Sequence, residues 1–152
     1  MGEATLVETT GEQLEGMRTI RLRVPARAEY VALARLALSG IADLLALPEE
    51  LVADLKLALT EAVSNSVRHA YSDETGFVSI AYELSGGALA VEVVDDGKGF
   101  DPESPPPLEG EELTEGGLGI SIIRTIADEF ELQSRPGARG SRLRFVKRLQ
   151  PA

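Results

Sequence analysis

From Met17 to Val24 apolar and charged residues alternate. Ile20, Leu22 and Val24 fall on one side and Arg21 and Arg23 on the other, the period of a half-buried strand that Pro25 should end. From Glu29 to Leu45 the apolar residues change to a helical period, with Ser39-Gly40 as a weak point. A second helix should start at Pro48, where a first turn tolerates proline and where Glu49 and Glu50 meet the positive end of the helix dipole. It should run to about His69, burying Val52, Leu55, Leu59, Ala62, Val63 and Val67. Phe77 to Leu84 and Ala88 to Val94 read as strands joined by Gly86-Gly87, a strong two-residue hairpin signal. Asp101 to Glu115 reads as a loop, long for a compact domain and of the kind often used as a lid. Leu118 to Ala127 predicts a third helix. Glu129 to Ser134 and Ser141 to Leu149 predict a closing pair of strands turned at Pro136-Gly137. Residues 1–16 are expected to be a frayed lead-in, and 17–149 one domain without internal repeats. This order predicts an α+β two-layer sandwich: a mixed, mainly antiparallel sheet with helices on one face.

Composition narrows the class. A chain of 152 residues can bury a core without cross-links. With 43% hydrophobic but only 5% aromatic residues, that core should be aliphatic. The absence of cysteine excludes disulfides and thiolate metal sites and suits a cytoplasmic setting. The first sixteen residues have no apolar signal-peptide core, and no run approaches the roughly 18 apolar residues that span a bilayer. A net charge of -10 argues against nucleic acid or an anionic membrane as the main partner. A protein partner or a metal-chelated small ligand suits it better. The cations are unevenly placed: Arg18, Arg21, Arg23 and Arg27 near the start, and Arg135, Arg139, Arg142, Arg144, Lys147 and Arg148 near the end. These are expected to be solvated strand faces, the alternative being a docking surface for an acidic partner.

Three short segments carry candidate chemistry. In the second helix Ser64, Asn65 and Ser66 interrupt an otherwise apolar, Ala-rich run with residues of modest helix propensity. Glu61 and Asn65, four apart, share a face offset from the buried stripe, and His69 continues it. An exposed polar face explains this much. Alternatively, Asn65 offers a hard amide oxygen to Mg²⁺ while Glu61 accepts a proton. His69 alone reads as structural or helix-terminal. The strand ending in Asp95-Asp96 leads into Gly97 and Gly99, which let backbone approach a flat ligand. A carboxylate there can accept from an exocyclic amine such as that of adenine, although Asp-Gly is also an ordinary turn. Gly116-Gly117-Leu118-Gly119 opens the third helix, where free amides and the dipole can hold an anion. It matches neither a P-loop nor the dinucleotide fingerprint.

Their order is more specific than any one of them. A helix with Glu-x-x-x-Asn is followed by a strand ending in Asp-x-Gly-x-Gly, a lid, Gly-x-Gly opening a helix, and Gly140-Ser141 opening a last strand. Over residues 17–149 this resembles the ATP-binding fold shared by gyrase, MutL, histidine kinases and certain heat-shock chaperones. The Thr60-Glu61-Ala62-Val63-Ser64-Asn65 run and Arg68-His69-Ala70-Tyr71 look like the anti-sigma factor serine kinases. The resemblance implies that Asn65 coordinates Mg²⁺ on the phosphates and that Glu61 is the general base. It implies that Asp95 accepts from the adenine amine, helped by a water that Ser141 also holds, and that Gly97 and Gly99 shape the base pocket. Gly117, Leu118 and Gly119 would lend amides to the phosphates. Implied with them are ATP or ADP as nucleotide, a sigma factor and an anti-sigma antagonist as partners, serine phosphorylation of that antagonist, and a homodimer.

In one place the chain departs from that pattern. Members of the family can carry an arginine just before the Gly-x-Gly, where this chain has Leu113-Thr114-Glu115-Gly116. No Lys or Arg occurs from Pro102 to Gly116, while glutamates stand at 103, 109, 111, 112 and 115. A nucleotide-responsive anti-sigma binding module with little or no transfer is therefore the second reading. A detached histidine-kinase-type ATP-binding domain is the third, disfavoured because no helical hairpin with a phosphoacceptor histidine precedes residue 17.

Overall fold

The structure, a computed structural model, describes residues 6–10, 17–70, 76–95, 117–134 and 140–149. Six strands form one sheet: β1 (Leu6–Thr10), β2 (Met17–Pro25), β3 (Phe77–Ser85), β4 (Ala88–Asp95), β5 (Glu129–Ser134) and β6 (Ser141–Arg148), in the order β1-β2-β3-β4-β6-β5. Three helices, α1 (Val31–Leu45), α2 (Glu49–Ala70) and α3 (Gly117–Ile126), pack on one face. A short 3-10 turn, Ala28–Tyr30, leads into α1, so the first helix starts slightly later than its pattern suggests. Ser39-Gly40 does not break α1, and Gly40 is exposed with nothing near it. No helix among the described residues is long and apolar enough to cross a membrane.

Two expectations need correction. The sheet, expected to be mixed and mainly antiparallel, is antiparallel at every described pairing. Two helices lie between β2 and β3, and each reverses the chain, so β3 enters against β2. Among the described residues α3 leads into β5, and the β5–β6 pair lays β6 antiparallel to β4. Residues 6–10, expected within a frayed lead-in, form an edge strand in which Val7 opposes Leu22 and Thr9 opposes Ile20. Short, β-branched and half-apolar, Leu6–Thr10 finds in β2 a partner that local pattern alone does not reveal.

The core lies between the inner sheet face and α2. Leu22, Val24, Val78, Ile80, Val91, Val93, Leu143 and Phe145 meet Leu55, Ala58, Leu59, Ala62 and Val63, all buried. Each large side chain among them contributes about 1.5–3 kcal/mol. Buried Tyr82 satisfies its hydroxyl by donating to the Ala34 carbonyl of α1 at 2.8 Å, and burial raises its pKa. On the outer face, Arg144 pairs with Glu83 (2.9 Å) and Glu92 (3.6 Å), and Arg142 with Glu92 and with Glu131 (3.7 Å). The hydrogen bond to Glu92 raises the Arg142 pKa. These cations are thus a partly solvated, paired face, each pair worth at most about 1 kcal/mol. Arg135 and Arg139 lie outside the described residues.

The described residues of the candidate segments gather at one end of the sheet. The C-terminus of α2, the start of β3, Asp95, the first turn of α3 and Ser141 lie there together. At the other end are the Gly86-Gly87 hairpin and the α1–α2 connection, flanking a cleft of about 600 Å³.

Candidate functional site

Asp95 ends β4 on the inner face, and the strand register sets it directly opposite Val78 of β3 and Ser141 of β6. Directly opposed side chains in an antiparallel pair are within reach of each other. The Ser141 hydroxyl donates to Asp95 Oδ2 at 2.5 Å, and both side chains are buried, 6% and 2% exposed. The register brings the two into direct contact. Such a bond holds the carboxylate at a fixed orientation at the end of the strand.

Asn65 is on the α2 turn that arrives at this same end of the sheet. It is 7% exposed, and Ser66 beside it is 1% exposed, so the exposed-face reading of this run does not hold for them. The Asn65 side-chain amide has no hydrogen-bond partner among the described residues. Buried polar side chains are normally paired, so an orphaned amide is a place to look for a ligand. A carbonyl oxygen of that kind suits a hard cation.

Glu61 lies one turn earlier on α2, half-buried, and faces the first turn of α3. The two helices pack so closely there that a Cβ at Gly119 would lie 2.6 Å from Glu61 Oε1. Gly117 is the first residue of α3, followed by Leu118 and the buried Gly119. The first amides of a helix lack intrahelical partners, and the dipole there favours negative charge. The arrangement therefore gathers an acid, an orphaned amide and a helix N-terminus on one side, and a fixed buried carboxylate on the other. Gly97, Gly99, the Asp101–Glu115 loop and the His69 side chain lie outside the described residues. Among the described residues no cluster of three metal-ligating His, Cys, Asp or Glu side chains occurs.

The profile of the histidine kinase-like ATPase domain matches residues 24–147. The chain belongs to this family. Curated relatives within it are serine-protein kinases: RsbW of Staphylococcus aureus is 36% identical over 141 residues, 86% of this chain and 89% of that protein. RsbW of Bacillus velezensis is 38% identical over 127 residues, 78% of this chain and 79% of that protein. Membership thus extends to the RsbW branch. Among solved structures, that of the RsbU and RsbW domains of a Mycobacterium tuberculosis protein superimposes with a TM-score of 0.63 at 21% identity. It covers 87% of this chain and 33% of that one. A blue-light activated histidine kinase domain from Erythrobacter litoralis gives 0.52 at 22% identity over 83% of this chain and 62% of that one. At these identities the two structures speak for the shared fold alone.

Of the residues expected to form the site, the structure brings Glu61 against Gly119 and Asp95 against Ser141. It adds one feature absent from the pattern, the steric dependence of Glu61 on residue 119. Their separation in sequence carries no signal for it, because only helix packing creates the contact.

Proposed function

We propose that this protein is an ATP-dependent protein-serine kinase that binds a sigma factor and phosphorylates an anti-sigma antagonist. The observation that carries the proposal is the buried, orphaned Asn65 amide one turn from Glu61, with Glu61 at the first turn of α3. Names of relatives support the reaction class. Residues 17–149 would be the catalytic unit, acting in the cytoplasm and as a homodimer.

In this reading Asp95, oriented by Ser141, accepts a hydrogen bond from the exocyclic amine of adenine, with Gly97 and Gly99 beside the base. Gly117, Leu118 and Gly119 direct amides at the phosphates, and the α3 dipole adds attraction. Asn65 would hold Mg²⁺, for which its lone buried carbonyl oxygen is suited. The ion supplies charge neutralisation on the phosphates. Glu61 takes the proton from the incoming serine hydroxyl. Positioning and electrostatics account for most of such a transfer.

The test is calorimetric titration of ATP with Mg²⁺ into wild type and Asn65→Ala, followed by a phosphoserine assay with candidate antagonists. Micromolar binding lost in Asn65→Ala, and phosphoserine lost in Glu61→Ala, are expected. Wild type that binds no adenine nucleotide overturns the proposal. The acidic, cation-free stretch from Pro102 to Gly116 favours a second reading, nucleotide-dependent sigma binding without transfer. Partner release on ATP with no phosphorylated product would establish that one.

A further inference from the structure

Helical glycine normally costs up to about 1 kcal/mol relative to alanine, and Gly119 has no conformational reason for it. It lies within α3 and is not among the glycines of positive φ in the described residues, which are Gly86, Gly87 and Gly140. Gly40, the comparable glycine of α1, has nothing near its missing side chain. Gly119 differs. A Cβ there would lie 2.6 Å from Glu61 Oε1 and 3.6 Å from Glu61 Cβ and Cδ. Outside its own helix backbone, the three heavy atoms nearest that position all belong to one side chain, Glu61.

We propose that Gly119 is a positioning residue for Glu61: the missing side chain is the space that the Glu61 carboxylate occupies. This rests on the kinase reading for its consequence in the reaction. It goes beyond it by assigning residue 119 a role separate from lending an amide to phosphate. The nearest clash is with the far end of a flexible side chain. A methyl group at 119 is therefore accommodated by swinging Glu61 about its χ angles, while the helix backbone stays in place. The carboxylate leaves the first turn of α3, and the proton acceptor leaves the place where the transferred phosphoryl group would lie.

Gly119→Ala is the test, read in three ways with wild type alongside. Its Tm is expected to match or exceed that of wild type. Phosphoserine formation at saturating ATP should fall at least tenfold, while the ADP dissociation constant rises less than about threefold. In a Glu61→Gln background, which has no base to misplace, the same substitution should have no further effect on transfer. An equal loss in affinity and transfer, or an equal loss in both backgrounds, overturns the proposal. The third readout needs no activity: the crystal structure of Gly119→Ala. A Glu61 carboxylate displaced from the first turn of α3 on an unmoved helix backbone supports the positioning role, and a carboxylate left in place overturns it. Should wild type bind nucleotide yet form no phosphoserine, the kinase reading fails alone, and the position of the Glu61 carboxylate in Gly119→Ala still decides the role of Gly119.

Discussion

The two ends of the sheet are built from similar parts and differ in what they bury. At the hairpin end, Gly86-Gly87 and the α1–α2 connection border a cleft lined by Leu45, Leu47, Pro48, Leu84 and Leu149, with Arg18 at its edge. At the other end, four of the five buried polar residues among the described ones gather: Asn65, Ser66, Asp95 and Ser141. The hairpin end has a cleft, and the opposite end has the buried polar groups. Concavity without buried polar groups offers little to orient a ligand. Burying a polar group costs about 1–3 kcal/mol if it is left unpaired; Asp95 and Ser141 pair with each other, whereas the Asn65 amide has no partner among the described residues and calls for a functional reason.

Substitutions can sharpen or break this contrast. The largest effect is expected from Glu61→Gln, which keeps shape and removes the base: transfer should fall by roughly 10²–10⁴-fold with Tm unchanged. A kinase assay with undiminished turnover would remove Glu61 from the reaction. Next is Asp95→Asn. A hydrogen bond to a charged group is worth about 1.5–3 kcal/mol, so ATP affinity should drop by roughly 10- to 150-fold, as read by calorimetry.

At the hairpin end the expected outcome is reversed. Gly87 has φ 78, and alanine there meets a left-handed penalty of about 1–2 kcal/mol. Chemical denaturation should record that loss while ATP affinity stays the same. A tenfold change in affinity would show that the two ends are coupled. The smallest effect belongs to the layer between them. Tyr82→Phe removes the bond to Ala34 and should cost about 1 kcal/mol. Burial raises the Tyr82 pKa above the ordinary tyrosine value of 10.0, so the folded protein keeps a proton that the unfolded chain releases. The stabilisation is complete below pH 10.0 and declines as pH rises further. Denaturation against pH should show that alkaline slope in wild type, and less of it in Tyr82→Phe.

Much of the fold was legible because its signals are local. The Gly86-Gly87 hairpin closes with both glycines at positive φ, the backbone of the turn type that this pair favours. Of the predicted stripe, Leu55, Leu59, Ala62, Val63 and Val67 are buried, while Val52, in the first turn of α2, is half-buried. β1 was missed because five residues without a strong pattern become a strand only beside β2. The sheet was expected to be mainly antiparallel, and that every described pairing is antiparallel is a property of the whole connections, not of any one segment.

The sequence by itself determined the elements, the aliphatic core and the order of the site segments, because periodicity, turn chemistry and helix-start signals act over a few residues. Only the tertiary structure decided which side chains meet. Asp95 and Ser141 stand 46 residues apart and touch because the β4–β6 register opposes them. Asn65 became a buried amide without a partner, and Glu61 came to fill the space left by Gly119, because α2 packs against both the sheet and α3. Burial and register are properties of the assembled layers, and no single segment contains them.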